Sequence, residues 1–437
     1  MQHSHDALDR PGGVAHGSLL SPLKHRDFRI LWSGMTISLL GDGVFLVAIA
    51  WESYVLWNAP AALSIVSIGM TVPMIAFLLL GGVVSDRRDR RAVMAYADAL
   101  RALAVAALAT LVLTHNLRFW ELVVLVAAYG VGTAFFTPAF EAIVPDLVPD
   151  EDLPAANALD QFVRPIALRL VGPVVGGALV AVSTGVAFAI DAASFAATLV
   201  SVLALRAPRR SGVHVSTRTA LREGFAFVRG RTWLWGTLVS AALAYLLFLG
   251  PAEVLLPFVV KNDLHASART LGLVLAAGGL GAVGAAVLMG RRGHPRRDVT
   301  VMYATWTLAT LAITGYGLAN AAWQLMGACL VFNALEAAGT IVWATIKQRH
   351  VPGALLWRVS SLDWLISIGL LPLSFALTAP VAAAVGARAT LVGAAALGAL
   401  VTLAAYFLPG MRDIERPARG EVEPALAPPA ASPAPLR

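Results

Sequence analysis

Six ionisable side chains stand inside long charge-poor stretches: Asp42, Glu52, Arg169, Asp191, Glu253 and Glu336. Such a group costs about 2.5–3.5 kcal/mol at the centre of a bilayer, so it marks a candidate site of function. The chemistry these types suit is proton handling. Burial disfavours the charged carboxylate, and a nearby arginine favours it. A carboxylate that alternates between those settings picks up and releases a proton. At 1.5 Å per residue, Asp42, Arg169 and Glu336 fall nearest mid-bilayer, and Glu52, Asp191 and Glu253 nearer the outer face. Asp98 and Arg101 (i,i+3) and Asp160 and Arg164 (i,i+4) are spaced to pair within their own helices, a structural arrangement.

The elements that must position these groups are membrane spans. The chain is 58% hydrophobic and only 14% charged, and the apolar excess comes in blocks rather than as a larger core. AALSIVSIGMTVPMIAFLLLGGVV (61–84) and TLGLVLAAGGLGAVGAAVLMG (270–290) carry no charge. A hydrocarbon core of ~30 Å needs about 20 such residues. Twelve spans are predicted, near 28–57, 61–84, 92–114, 119–143, 157–183, 185–205, 233–259, 270–290, 299–319, 321–346, 359–386 and 389–409. The blocks lack the alternation of barrel strands, so the backbone must satisfy itself as helices. The fold class is therefore all-α. Breaks are expected at Asn58-Ala-Pro60, Ser183-Thr-Gly185 and Asn320. Gly278, Gly279, Gly281 and Gly284 in the eighth span predict close helix contacts.

Of the 33 Lys and Arg residues, 26 fall on one side when the spans alternate. The positive-inside rule then places both termini in the cytoplasm. The expected organisation is an N-terminal arm (1–27), a six-helix half (28–205), a central loop with an interfacial helix (206–232), a second six-helix half (233–409) and a disordered Pro/Ala-rich tail (410–437). The net charge of +7 is spread over many short loops, which argues against nucleic acid as a partner. No metal-binding His pattern, nucleophile elbow or phosphate-binding glycine loop occurs, so neither an enzyme nor an ATP-driven pump is expected. Cys329 is the one cysteine, so no disulfide framework exists.

Between the second and third predicted spans runs GGVVSDRRDRR (81–91). Its pattern Gly82-x-x-x-Asp86-Arg87-x-x-Arg90-Arg91 resembles the signature loop of the major facilitator superfamily, with Asp89 where a glycine is usual. Gly172-Pro173-x-x-Gly176-Gly177 in the fifth span is similar to the G-P-x-x-G-G motif of that superfamily's antiporters. FRILWSGMTISLLGDGVF (28–45), GPAEVLLPFVV (250–260) and RHVPGALLWRVSSLDW (349–364) look like its branch of macrolide and siderophore exporters.

The resemblance covers about residues 22–410 and implies two six-helix halves working by alternating access. It implies that the 82–91 loop is a latch of the outward-open state, with Gly82 permitting a close helix approach. The matching loop of the second half (290–298) keeps arginines without an aspartate in register, so the latch is expected on one half only. The resemblance also makes the first and fifth helices neighbours, so Asp42 and Arg169 are expected to form a buried pair. Glu336 is expected to face the cavity from the other half.

The function these features imply is proton-coupled efflux of amphipathic drugs or secondary metabolites by a monomer in the bacterial inner membrane. Its partners would be a small amphipathic substrate, protons and lipid, and its energy source the proton gradient, with no cofactor. A dedicated siderophore or metabolite exporter is the alternative, followed by a proton-coupled nutrient importer.

Overall fold

The computed structural model describes residues 20–149, 151–206, 225–292, 295 and 297–415, and those residues form helices without strands. Eleven helices are long and apolar enough to cross a membrane. Six belong to the first half: α1 (Arg26–Leu56), α2 (Pro60–Arg87), α3 (Arg90–Leu113), α4 (Phe119–Ile143), α5 (Leu153–Val180) and α6 (Thr184–Leu203). The second half has α7 (Thr232–Asp263), α8 (Ala268–Arg292), a broken α9, α10 (Ala322–His350), α11 (Gly353–Gly369 continued by Leu371–Val385) and α12 (Ala387–Tyr406). The predicted ninth span is interrupted at Ile313, which leaves Asp298–Ala312 and Thr314–Leu318 as the two pieces of α9. Placed end to end they still cover about 30 Å.

Local chemistry sets the ends. Pro60 opens α2 at a position whose N–H would have no helical partner. Asp89 caps α3 by accepting from the Arg91 amide at 3.0 Å, and Ser183 caps α6. Gly386, at φ 88°, turns the chain between α11 and α12. That left-handed backbone strains any residue with a Cβ. Of the predicted interfacial helix, residues 225–229 are helical and 219–224 lie outside the described residues, as do 1–19 of the arm and 416–437 of the tail.

The helices of each half pair in the same pattern. α1 packs on α5 and α6, α2 on α4, and α3 on α4 and α6. Adding six to every number gives the second half: α7 on α11 and α12, α8 on α10, and α9 on α10 and α12. The halves meet through two equivalent crossings, α2 with α11 and α5 with α8.

The two ends of the bundle differ. One end, here the basic end, carries the starts of α1, α3 and α9 and the 81–91 turn. At the opposite end a single apolar core runs across both halves, from Phe45, Tyr54 and Leu63 to Leu255, Phe375 and Leu391. Tyr54 donates to the Val254 carbonyl at 2.6 Å, Asn58 to Asn262 at 2.7 Å, and Lys261 to the Tyr54 carbonyl. Toward the basic end the core divides. One cluster, around Phe28, Met94 and Phe140, belongs wholly to the first half, and the other, around Trp233, Tyr303 and Trp343, to the second. The molecule is shut at the far end and parted at the basic end.

Candidate functional site

Two glycines bring other helices against α1. A Cβ at Gly41 would sit 2.2 Å from Ser194 Oγ and 2.4 Å from Asp191 Oδ1 on α6, and one at Gly43 would sit 2.8 Å from Gly172 Cα on α5. Asp42 stands between them, half-buried, and its Oδ1 accepts from the Tyr129 hydroxyl at 2.7 Å. Tyr129 is held by stacking on Phe45 with ring centroids 4.5 Å apart. Behind Asp42, from α3, come Asp98 and Arg101, bonded to one another and buried. The Arg101 guanidinium lies over Phe136 at 4.3 Å and over Phe195 at 4.4 Å, and Gly132 leaves room for its stem. Asp42 is within electrostatic reach of Arg101, Asp98, Asp191 and Tyr129, and Arg101 of both Asp98 and Asp191.

The expected Asp42–Arg169 pair is not formed. Arg169 belongs to a wide π turn, Ile166–Val171, within α5, and it lies within electrostatic reach of Glu253 and Tyr245 on α7. The cation near Asp42 is Arg101 instead. Sequence spacing had marked Arg101 as a local partner of Asp98, which it also is. What local spacing omits is that α3, α4 and α6 pack around this point of α1.

On the second half, Glu336 accepts from Thr340 Oγ1 at 3.0 Å and lines a cleft with Tyr245, Trp306 and Phe332. Glu253 is exposed in the parted interior. Glu52 is different: it is buried at the closed end beside Thr184 and Lys261. The predicted set is thus dispersed. Asp42 and Asp191 meet in the first half, Arg169 and Glu253 come within reach of one another across the halves, Glu336 lines a cleft within the second half, and Glu52 serves the closed end.

The glycines of the fifth span form the crossings. Gly172 and Gly176 face α1, where added Cβ atoms would meet Gly43 Cα at 2.6 Å and Val44 Cα at 2.9 Å. Gly177 faces α8, where an added Cβ would lie 2.8 Å from the Ala268 carbonyl and 2.9 Å from Gly272 Cα. Pro173 has no N–H, so the carbonyl four residues earlier, Arg169, loses its α-helical donor. That carbonyl points at Gly279 of α8, whose added Cβ would lie 2.2 Å away. Gly278 and Gly281 likewise make the close contacts predicted for them, whereas Gly284 faces open space.

At the basic end, Arg90 donates to the Ala142 carbonyl at 2.7 Å and to Asp146 at 2.9 Å, tying α3 to the end of α4. Arg91 reaches the Leu203 carbonyl at 3.2 Å. The close approach expected at Gly82 is made by its neighbour. A Cβ at Gly81 would lie 2.3 Å from the Ala134 carbonyl, while one at Gly82 meets nothing within 4 Å. The side chains of Asp86 and Arg87 lie outside the described residues. In the second half Asp363 of α11 accepts from Lys347 and, at 2.9 Å, from Trp343 Nε1, both on α10. This group escaped sequence reading because its members are 16 and 20 residues apart, beyond any single-helix spacing.

Asp152, in the turn before α5, accepts from Ser21 at 2.5 Å and bonds His25 at 2.8 Å. These hydrogen bonds hold its carboxyl below the usual carboxylate range. They also fasten the start of the chain to the first half. Nearby, between α1, α4 and α5, opens a pocket of about 220 Å³ whose walls combine Trp32 and Phe140 with Glu141, Asp160 and Arg164. The Asp160–Arg164 pair expected from spacing is formed there at 3.2 Å.

This geometry matches known transporters. Over 86–91% of the chain it follows solved transporter structures. One is a bacterial homologue of the lysosomal transporter Spinster in an inward-facing, unoccupied conformation, at a TM-score of 0.66 and 14% identity over 91% of this chain and 99% of that one. Among curated proteins, the multidrug efflux pump Tap of Mycolicibacterium fortuitum is 28% identical over 88% of this chain and 96% of its own length. Macrolide efflux protein A of Streptococcus pyogenes is 24% identical over 82% and 90%. The enterobactin exporter EntS of Citrobacter koseri is 27% identical over 81% and 84%. These relatives are transporters rather than enzymes. A family model described as transmembrane secretion effector matches residues 17–427, so the chain belongs to that family and has the fold of the major facilitator superfamily.

Proposed function

We propose that this protein exports amphipathic drugs or secondary metabolites across the bacterial inner membrane in exchange for protons. It works as a monomer with both termini in the cytoplasm, and the gradient is its only energy source. The observation that carries the reading is the asymmetric bundle. One core seals the halves at the far end, the cores separate at the basic end, and Arg169 of the first half comes within electrostatic reach of Glu253 and Tyr245 of the second. A two-ended bundle with ionisable groups in its wall suits alternating access. The excess of Lys and Arg in the sequence segments that lead into the parted side supports placing that side in the cytoplasm, where an exporter must load. The pocket beside Trp32 and Phe140 offers aromatic surface with acidic groups, which suits an amphipathic compound bearing a basic amine.

The test is expression in a bacterial strain stripped of its own pumps, scored over a compound panel with and without an uncoupler. Export predicts lower intracellular compound and loss of that effect with the uncoupler. Unchanged accumulation overturns export, and uncoupler-insensitive export overturns the proton as driving ion. The similarity to an enterobactin exporter favours a second reading, a dedicated siderophore exporter. In that case deletion of the gene in its own host raises the intracellular siderophore and leaves drug sensitivity unchanged.

A further inference from the structure

Asp98 and Asp191 are fully buried and Arg101 is 4% exposed. Each keeps one unsatisfied atom. Asp98 Oδ2, Asp191 Oδ2 and Arg101 Nε are buried without a hydrogen-bond partner, while Asp191 Oδ1 accepts from Ser194 at 3.2 Å. The charged and titratable groups facing this point are Asp42 from α1, Asp98 and Arg101 from α3, Tyr129 from α4, Arg164 from α5 and Asp191 from α6. Arg164 is itself paired with Asp160. Three carboxylates therefore share one guanidinium, an excess of two negative charges if all are ionised.

Uncompensated buried charge is strongly unfavourable, and a buried carboxylate oxygen without a donor adds the cost of an unmade hydrogen bond. Two added protons remove both penalties, since a protonated carboxyl is neutral and has a hydrogen to donate. Among the described residues no three acidic, histidine or cysteine side chains converge as metal ligands do.

We propose that Asp42, Asp98 and Asp191 form a single two-proton site with Arg101 as its built-in counter-ion. Asp42, half-buried where Asp98 and Asp191 are fully buried, is its entrance and Asp191 its inner position. A proton leaves Asp42 for solvent. The remaining charge is then shared by Arg101 between Asp42 and Asp98, and Asp191 feels the change through the same cation. Only the use of this site in transport rests on the proton-driven reading above.

The experiment is infrared titration of purified full-length protein whose aspartate carboxyl carbons carry ¹³C, which separates these acids from the glutamates. Above the ordinary aspartate value of about 3.9, where exposed aspartates are already ionised, the wild type should still lose two protonated-aspartate bands as pH rises. Asp191→Asn should abolish one and shift the midpoint of the other, and Asp42→Asn should do the converse. A spectrum of Asp191→Asn superposable on wild type overturns the site. Loss of one band with the other midpoint unmoved overturns the shared unit. Should Asp191→Asn fail to yield folded protein, Tyr129→Phe removes a hydrogen bond that Asp42 accepts and Asp191 does not, and must still shift the Asp191 band; an unmoved Asp191 band overturns the coupling. Coupled bands alongside uncoupler-insensitive efflux would remove the proton-driven reading and keep this site. Independent bands alongside uncoupler-sensitive efflux would do the reverse.

Discussion

Single residues divide here into those that hold the scaffold and those that carry charge through it. Arg90 is of the first kind. Its two bonds to the end of α4 leave Asp146 with a partner at 11% side-chain exposure. Arg90→Ala should lower stability in detergent by about 1–3 kcal/mol, the cost of stranding a buried acceptor. A thermal unfolding comparison with Asp146→Ala checks it, and the double variant should be less damaged than the sum of the singles. Asp152 gives a pH test. Its carboxyl titrates lower in the folded protein than in the unfolded chain, so the folded protein binds fewer protons there. The contribution is complete above the ordinary aspartate value of about 3.9 and fades as pH falls through the depressed value. Protease cutting near residues 20–25 should therefore stay slow in mildly acidic buffer and accelerate only under stronger acid. Asp152→Asn should make it fast at neutral pH.

At the scale of elements, α5 is the connecting piece. Glycines on two of its faces let it lie against α1 in its own half and α8 in the other, and Pro173 frees the carbonyl that meets Gly279. Gly177→Val should block movement of α5 past α8. Efflux should fall to the level of cells without the protein, while the amount of protein in the membrane stays near wild type. The neighbouring glycines of α2 supply a contrast. Gly81→Ala forces a methyl onto the Ala134 carbonyl and should cost roughly 1–3 kcal/mol of stability, as overpacking does. Gly82→Ala, opening on empty space in this conformation, should leave thermal stability unchanged. Equal stability losses at both positions would contradict the helix phase seen here.

The whole molecule is closed at one end by an apolar core shared between the halves and by specific hydrogen bonds across it. Asn58 and Asn262 touch across the closed end, so cysteines placed there should join when oxidised. Cys329, buried and the one native cysteine, is first replaced by alanine. Oxidation should then stop efflux and a reductant restore it. Cross-linked protein that transports normally would show that this end need not open.

The sequence by itself determined the spans, their breaks at Pro60, Ser183 and Asn320, and the basic face of the bundle. Each of these is written in about twenty consecutive residues, because a bilayer demands local apolarity and local hydrogen bonding. The α9 break at Ile313 was not legible, since no proline marks it and the nearby Gly315 and Gly317 are themselves helical. The ionisable residues could be listed from sequence but not assembled. Asp42, Asp98 and Asp191 lie on three helices, and only the packing of α6 against α1, with α3 against α4 and α6, decides that Arg101, rather than Arg169, is their counter-ion. One residue of helix phase decides between Gly81 and Gly82. Which end of the bundle stands open depends on how two halves of equal pairing lean on one another, and that is a property of the tertiary structure alone.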